Sequence, residues 1–196
     1  LHTDEPEHLH RAVAEAARLL RVGDVVALPT ETVYGLAADA LNPDAVAKVF
    51  AAKERPEFDP LIVHLPTKQS LHDVADVPES IRKTVIQMIE RFWPGPLTLV
   101  LPKKACIPDI VTSGMPSVAV RMSSHPIFKR IVQELGKPLA APSANRFGSI
   151  SPTSASAVVA ELDGRTPLLI EGGPRLPGIE SPIIKIEPAE PKPRLT

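Results

Sequence analysis

Apolar residues along this chain recur with two spacings that take turns. Leu9, Val13, Ala16, Ala17 and Leu20 repeat every three or four positions, which predicts a helix over 5–21, with Gly23 placed to stop it. The uninterrupted run Val25-Val26-Ala27-Leu28 predicts a buried strand. Asn42-Pro43-Asp44 supplies an N-cap, a first-turn proline and an acid suited to the helix dipole. The helix it opens carries Val46, Val49 and Phe50 on one face, and Lys53 and Arg55 fall where it ends. Strands are predicted at 61–65, 97–101, 118–121, 138–141, 168–170 and 183–186, and helices at 78–92, 127–135 and 153–162. Strands and helices in this order define an α/β sheet with helical cover. Several gaps between strands hold no helix, so the sheet is expected to be mixed. No internal repeat interrupts the series, which is read as one domain over 1–187 followed by a proline-rich tail or linker start at 188–196.

Composition narrows the setting. With 196 residues the chain suffices for one domain with a sizeable core. A net charge of -1 gives no global attraction to nucleic acid or acidic membranes, so a basic site has to be local. The single cysteine, Cys106, can form neither an internal disulfide nor a metal box, and a reducing, cytoplasmic location is expected. Apolar runs stop well short of membrane-spanning length, and no signal segment opens the chain. The absence of an initial methionine and the proline-rich end suggest a piece of a longer product.

The chemistry gathers in the polar residues that follow the predicted strands. Pro29 ends a strand, and Thr30-Glu31-Thr32 then offers two hydroxyls and a carboxylate on a turn. His64 lies in the next strand, Arg121 ends another, Ser143 and Asn145 follow a third, Ser151 opens a loop and Ser181 precedes the last strand. Ends of strands are where open α/β sheets place ligands. Each residue also has an ordinary structural reading: Arg121 paired to an acid, His64 a satisfied core histidine, Ser143 or Asn145 a turn cap. There is no nucleophile triad, no metal-ligand box, and neither of the glycine-rich phosphate loops. What remains is anion recognition: Lys53 and Arg55 for phosphate oxygens, Arg121 for a carboxylate.

Seven motifs, in order, bear a resemblance. Pro29-Thr30-Glu31-Thr32-Val33-Tyr34-Gly35-Leu36, Lys53-x-Arg55-Pro56, Pro60-Leu61-Ile62-Val63-His64, Trp93-Pro94-Gly95-Pro96-Leu97-Thr98, Val118-Ala119-Val120-Arg121, Ala141-Pro142-Ser143-Ala144-Asn145 and Gly178-Ile179-Glu180-Ser181 are similar to those of the YrdC-like family, the threonylcarbamoyl-AMP synthases. The resemblance implies a twisted mixed parallel and antiparallel sheet with helices around a large concave basic cavity. It implies a nucleotidyltransferase that joins L-threonine, bicarbonate and ATP, with Mg2+ accompanying the nucleotide, to give threonylcarbamoyl-AMP and pyrophosphate. A partner transferase would then modify the tRNA adenosine beside the anticodon. Carried over by position, Thr30 or Thr32, His64, Arg121, Ala141 and Ser181 match threonine-binding places. Lys53, Arg55, Asp59, Ser117, Ser143, Asn145 and Ser151 match nucleotide-binding places, with Lys53 and Arg55 in the catalytic role. On that basis Lys53→Ala is expected to depress turnover and leave the thermal melt nearly unchanged.

Two positions depart from the family pattern. Pro182 stands where a threonine is usual, and no clean Arg-Pro-Gly element follows Ile186, Arg194 being the weak candidate. Two alternative readings stand beside the synthase: a double-stranded RNA or tRNA-binding module, and a YrdC-like carbamoyl-transfer domain that makes a carbamoyl-adenylate without threonine.

Overall fold

The computed structural model describes residue 1 and residues 5–56, 58–173 and 181–187. Its elements run α1 (Pro6–Arg21), β1 (Val26–Pro29), β2 (Tyr34–Asp39), α2 (Pro43–Lys53), β3 (Ile62–His64), α3 (Leu71–Val74), α4 (Glu79–Phe92), β4 (Thr98–Pro102), α5 (Asp109–Thr112), β5 (Ser117–Arg121), α6 (Pro126–Leu135), β6 (Leu139–Ala140), α7 (Ala155–Leu162) and β7 (Ile183–Lys185). The strands form one sheet in the order β1-β2-β6-β3-β5-β4-β7. Pairing is parallel at β3 with β5 and β4 with β7, and antiparallel at the other four junctions. The mixed sheet expected from the sequence is thus present. The proline-rich tail, Arg194 and residues Gly178, Ile179 and Glu180 lie outside the described residues.

Three features differ from the sequence reading. Strand β2 was not predicted, because Tyr-Gly-Leu-Ala-Ala-Asp has no β-branched member, holds a glycine and two alanines, and is buried on both faces, so nothing alternates. Its presence turns the Thr30–Val33 segment into the loop of a β1–β2 hairpin. The strand predicted at 168–170 is a single parallel bridge from Leu169 to Ala27, held by the Ala27 amide on the Leu168 carbonyl (2.9 Å) and the Ile170 amide on the Ala27 carbonyl (3.0 Å). Helices α3 and α5 have four residues each, too few for a periodic signal.

Side-chain alternation splits the core into two layers. Val26, Leu28, Ala37 and Leu139 pack with the inner stripes of α1 and α6, where Ala12, Val13, Ala16 and Leu20 meet Phe128, Ile131, Val132 and Leu135. Their strand neighbours Val25, Ala27, Leu36, Ala38, Val63, Leu99, Val118 and Val120 pack on the opposite face with α2, α4 and α7. A strand buried on both sides must be apolar throughout, which explains the run at β1.

Helix ends follow local chemistry. The Asn42 side chain accepts from the amides of Asp44 (3.1 Å) and Ala45 (3.2 Å), with Pro43 behind it at the first helical position. Beyond α1, Gly23 adopts a φ of 76°, a left-handed conformation that glycine enters without strain. Asn42→Ala removes the cap and is expected to cost about 1 kcal/mol. Urea unfolding should show a lower midpoint at unchanged slope.

Candidate functional site

The two helices that cover one face of the sheet stop over β1, β2 and β6. The remainder of that face, over β3, β5, β4 and β7, is the floor of a cavity of about 490 Å3. Residues opposite one another in a ladder share a face, and here Ile62 opposes Ala119, His64 opposes Arg121, Val100 opposes both Ala119 and Lys185, and His64 opposes Leu139. Hence Ser117, Ala119 and Arg121, two apart on β5, all point to the cavity, while Val118 and Val120 point to the core. Strand ends contribute His64, Arg121 and Ser143, as expected, and mid-strand residues such as Ala119 join them. Antiparallel neighbours run in opposite directions, so their carboxyl ends cannot meet at one edge, and the pleat collects side chains along a face as well.

Every residue nominated from the sequence lines this cavity: Thr30, Thr32, Lys53, Arg55, Asp59, His64, Ser117, Arg121, Ala141, Ser143, Asn145, Ser151 and Ser181. Three cations, Lys53, Arg55 and Arg121, face it with one acid, Asp59, so the lining is locally basic on a chain of net charge -1. Among the described residues no cluster of three or more His, Cys, Asp or Glu could hold a metal.

One group of lining residues surrounds Arg121. Its Nη2 lies 2.8 Å from Glu31 Oε1, an ion pair approached off the hydrogen-bonding direction, and donates to Thr32 Oγ1 at 3.3 Å. The Thr30 hydroxyl donates to the Val33 carbonyl at 2.6 Å and accepts from the Thr32 and Val33 amides, so it builds the loop. Thr30 Oγ1 also meets Thr32 Oγ1 at 3.1 Å. With the Thr30 proton used on Val33, Thr32 is the donor there and keeps lone pairs for Arg121 and the cavity. The Ser123 hydroxyl donates to Glu31 Oε2 and accepts from the His125 amide at 3.2 Å. Burial alone would raise the Glu31 carboxyl, but the Arg121 charge and the Ser123 and Arg121 contacts outweigh it and hold it below the ordinary carboxylate range. His64 is pushed down to about 3, first by burial and then by Arg121, against the opposing pull of Glu31 and the Ala141 backbone. It is therefore a neutral imidazole near pH 7, with its ring 4.7 Å from that of Phe128 where α6 ends its cover.

The second group is built on the end of α2. Lys53 is 1% exposed, and its ammonium donates to the carbonyls of Ser143 and Asn145. Phe147 returns its amide to the Lys53 carbonyl at 2.9 Å, so the residue staples the 143–147 loop to the helix. This corrects the expectation that truncating Lys53 would leave folding untouched: loss of the ammonium strips two carbonyls of their donor. Arg55 binds the Asp59 and Pro60 carbonyls (both 3.1 Å) and the Asp59 carboxylate (2.8 Å), and all three residues line the cavity. The Asn145 amide donates to the Arg146 (2.9 Å) and Ser149 (2.6 Å) carbonyls. Ser181 meets Thr98 across the β4–β7 edge at 3.0 Å.

Sequence reasoning passed over Glu31, which stood in the quoted motif without a role and proves to be the partner of Arg121. It also passed over Met115 and Phe147, which line the cavity while 41% and 50% exposed. The one available signal was the alternation of Ser117, Ala119 and Arg121 with valines. Cys106 is an exposed free thiol away from the cavity.

A half-covered mixed sheet whose bare half floors a cavity lined by two arginines, a buried lysine and several hydroxyls defines an α/β protein with one locally basic pocket. The comparison with known sequences is specific: residues 18–195 match the Sua5_yciO_yrdC profile, described as telomere recombination, and the chain belongs to that family. It is 47% identical over 186 residues to the threonylcarbamoyl-AMP synthase of Bacillus subtilis, covering 93% of this chain and 52% of that one. Sua5 of Pyrococcus abyssi, solved in complex with L-threonine, superposes with a TM-score of 0.85 at 43% identity, over 89% of this chain and 50% of the other. YciO of Escherichia coli shares the fold at a TM-score of 0.81 and 20% identity, over 95% of this chain and 88% of its own. The chain spans about half the length of the first two relatives. None of the helices among the described residues is long and apolar enough to cross a membrane.

Two outcomes test this geometry. Lys53→Met should lower the urea midpoint by the equivalent of about 1–3 kcal/mol, the cost of leaving buried carbonyls without a donor. His64 has a folded pKa of about 3, below its unfolded value of about 6.5. Its contribution to stability is thus full above about pH 6.5 and shrinks as pH falls toward 3. Between pH 7 and 5 the melting temperature of His64→Asn should fall less than that of the wild type; Glu31 begins to add its loss only as pH falls into the ordinary carboxylate range, and completes it below that range.

Proposed function

We propose that this chain is the synthase unit of a threonylcarbamoyl-AMP synthase, joining L-threonine, bicarbonate and ATP into threonylcarbamoyl-adenylate and releasing pyrophosphate and water. The observation that carries the reading is that one cavity of about 490 Å3 holds an Arg121, Thr32 and His64 group beside an Arg55, Ser143 and Asn145 group. A carboxylate-reading arginine next to a phosphate-reading one is what a mixed anhydride of an amino-acid carbamate and AMP requires.

In this scheme Arg121 takes the threonine carboxylate. Its charge is already held in place by Glu31 and Thr32, so little reorganisation accompanies binding. Neutral His64 and the Thr32 lone pairs offer acceptors rather than charge to the amine and hydroxyl, which suits an amine that has to lose its proton before attacking the bicarbonate carbon. The carbamate oxygen then attacks the α-phosphorus, with Arg55 at the phosphate oxygens and the 143–147 loop, fixed by Lys53, beside the nucleotide. The donor set fits magnesium that arrives on the triphosphate, since such an ion keeps several waters and needs few protein ligands. When bound there, it neutralises charge growing on the phosphate oxygens. The product is the activated group that a tRNA-modifying transferase would place on the adenosine beside the anticodon.

Pyrophosphate release from ATP and bicarbonate should require L-threonine. Release that needs no threonine when carbamoyl phosphate replaces bicarbonate would instead identify a carbamoyl-adenylate chemistry, and salt-steep RNA binding without release would identify an RNA module. Arg121→Lys, which cannot form the planar fork, should raise KM for threonine at least ~10-fold with KM for ATP near the wild-type value.

A further inference from the structure

The motif Trp93-Pro94-Gly95-Pro96-Leu97-Thr98 has no part in the scheme above, yet it ties two sides of the cavity together. Trp93 Nε1 donates to the Leu97 carbonyl at 2.7 Å, closing the turn on itself. A Cβ on Gly95 would lie 2.4 Å from the Phe92 carbonyl oxygen, so only glycine allows this closure. The Gly95 amide donates to the carbonyl of Met122, the residue after Arg121, at 2.8 Å. The turn delivers Thr98, which is 0% exposed, as the first residue of β4. Its amide donates to the Pro182 carbonyl at 2.9 Å, and its hydroxyl meets that of Ser181 at 3.0 Å.

A serine hydroxyl beside a cavity is a free rotor unless something fixes it. Residue 182 offers Ser181 no help, because proline has neither a hydroxyl nor an amide proton. Pro182 is nonetheless at home where it stands: it precedes the first residue of an edge strand, and its carbonyl supplies the contact to β4. The buried Thr98 hydroxyl is then the group that sets which way Ser181 presents its proton and lone pairs to the cavity.

We propose that Thr98 is a positioning residue that orients the Ser181 hydroxyl toward the amino-acid substrate. The proposal rests on the synthase reading. Thr98→Val keeps shape and burial while deleting the hydroxyl, Thr98→Ser keeps the hydroxyl, and Ser181→Ala deletes its partner. In threonine-dependent pyrophosphate release, Thr98→Val should raise KM for L-threonine roughly three- to tenfold, the worth of one hydrogen bond. KM for ATP and kcat should stay near wild type, and Thr98→Ser should restore the threonine KM. Ser181→Ala should match Thr98→Val, and the double variant should go no further.

An unchanged threonine KM in a folded Thr98→Val, additive effects in the double variant, or a parallel rise in both KM values would overturn the inference. If the valine variant does not fold, the test passes to Thr98→Ser and Ser181→Ala: a normal threonine KM in Ser181→Ala overturns it equally. Wild-type protein that neither turns over with threonine nor binds it by calorimetry would instead overturn the synthase reading itself.

Discussion

The cavity exists because one face of the sheet is only half covered. Helices α1 and α6 pack over β1, β2 and β6, and that layer ends at Phe128 against His64. The opposite face is covered by α2, α4 and α7 along its length, which supplies the core needed to hold the bare half in shape. Strand alternation does the rest, since any residue on the bare face is committed to the cavity by its register. Ser117, Ala119, Arg121, Ile62 and His64 are small, polar or only partly buried, as a ligand-facing floor demands, while Val118, Val120 and Val63 complete the core behind them.

Charge in the cavity is arranged before any ligand arrives. A guanidinium that is 4% exposed is costly unless paired, and Glu31, aimed by Ser123, answers it. Burial, followed by the Arg121 charge, keeps His64 neutral beside it against the opposing pull of Glu31. Lys53 solves the problem differently, by donating to backbone carbonyls, and becomes part of the frame that shapes the 143–147 loop. The two cations that looked alike in Lys53-x-Arg55 therefore do different work: one anchors a loop, and the other lines the cavity paired with Asp59.

Family membership and geometry converge on this cavity. The relatives at 47% and 43% identity align across nearly all of this chain while extending well beyond it, so the described fold is the unit they share. Within that unit the turn from Trp93 to Thr98 links the end of β5, which bears Arg121, to the start of β7, which follows Ser181. A family motif without a ligand role thus has a mechanical one, holding two walls of the cavity in register.

Local chemistry was readable from the chain alone. Periodicity located α1, α2, α4 and α6, Asn42 announced its cap, and the continuous apolar run marked β1 as buried on both sides. Polar types at strand margins, with Asp59, Ser117 and Ala141 added by the family resemblance, named residues that line one cavity. Strand β2 escaped because a run without β-branched residues, buried on both sides, leaves no alternation, and the bridge at Leu169 was read as a strand because a single pairing looks like one in sequence. Which acid answers Arg121, whether Lys53 faces a ligand or two carbonyls, and which half of the sheet stays bare depend on contacts between residues 90 or so apart in the chain. Such contacts leave no local pattern, since pairing across a sheet is decided by register and by the reach of the covering helices, and only the assembled fold fixes both.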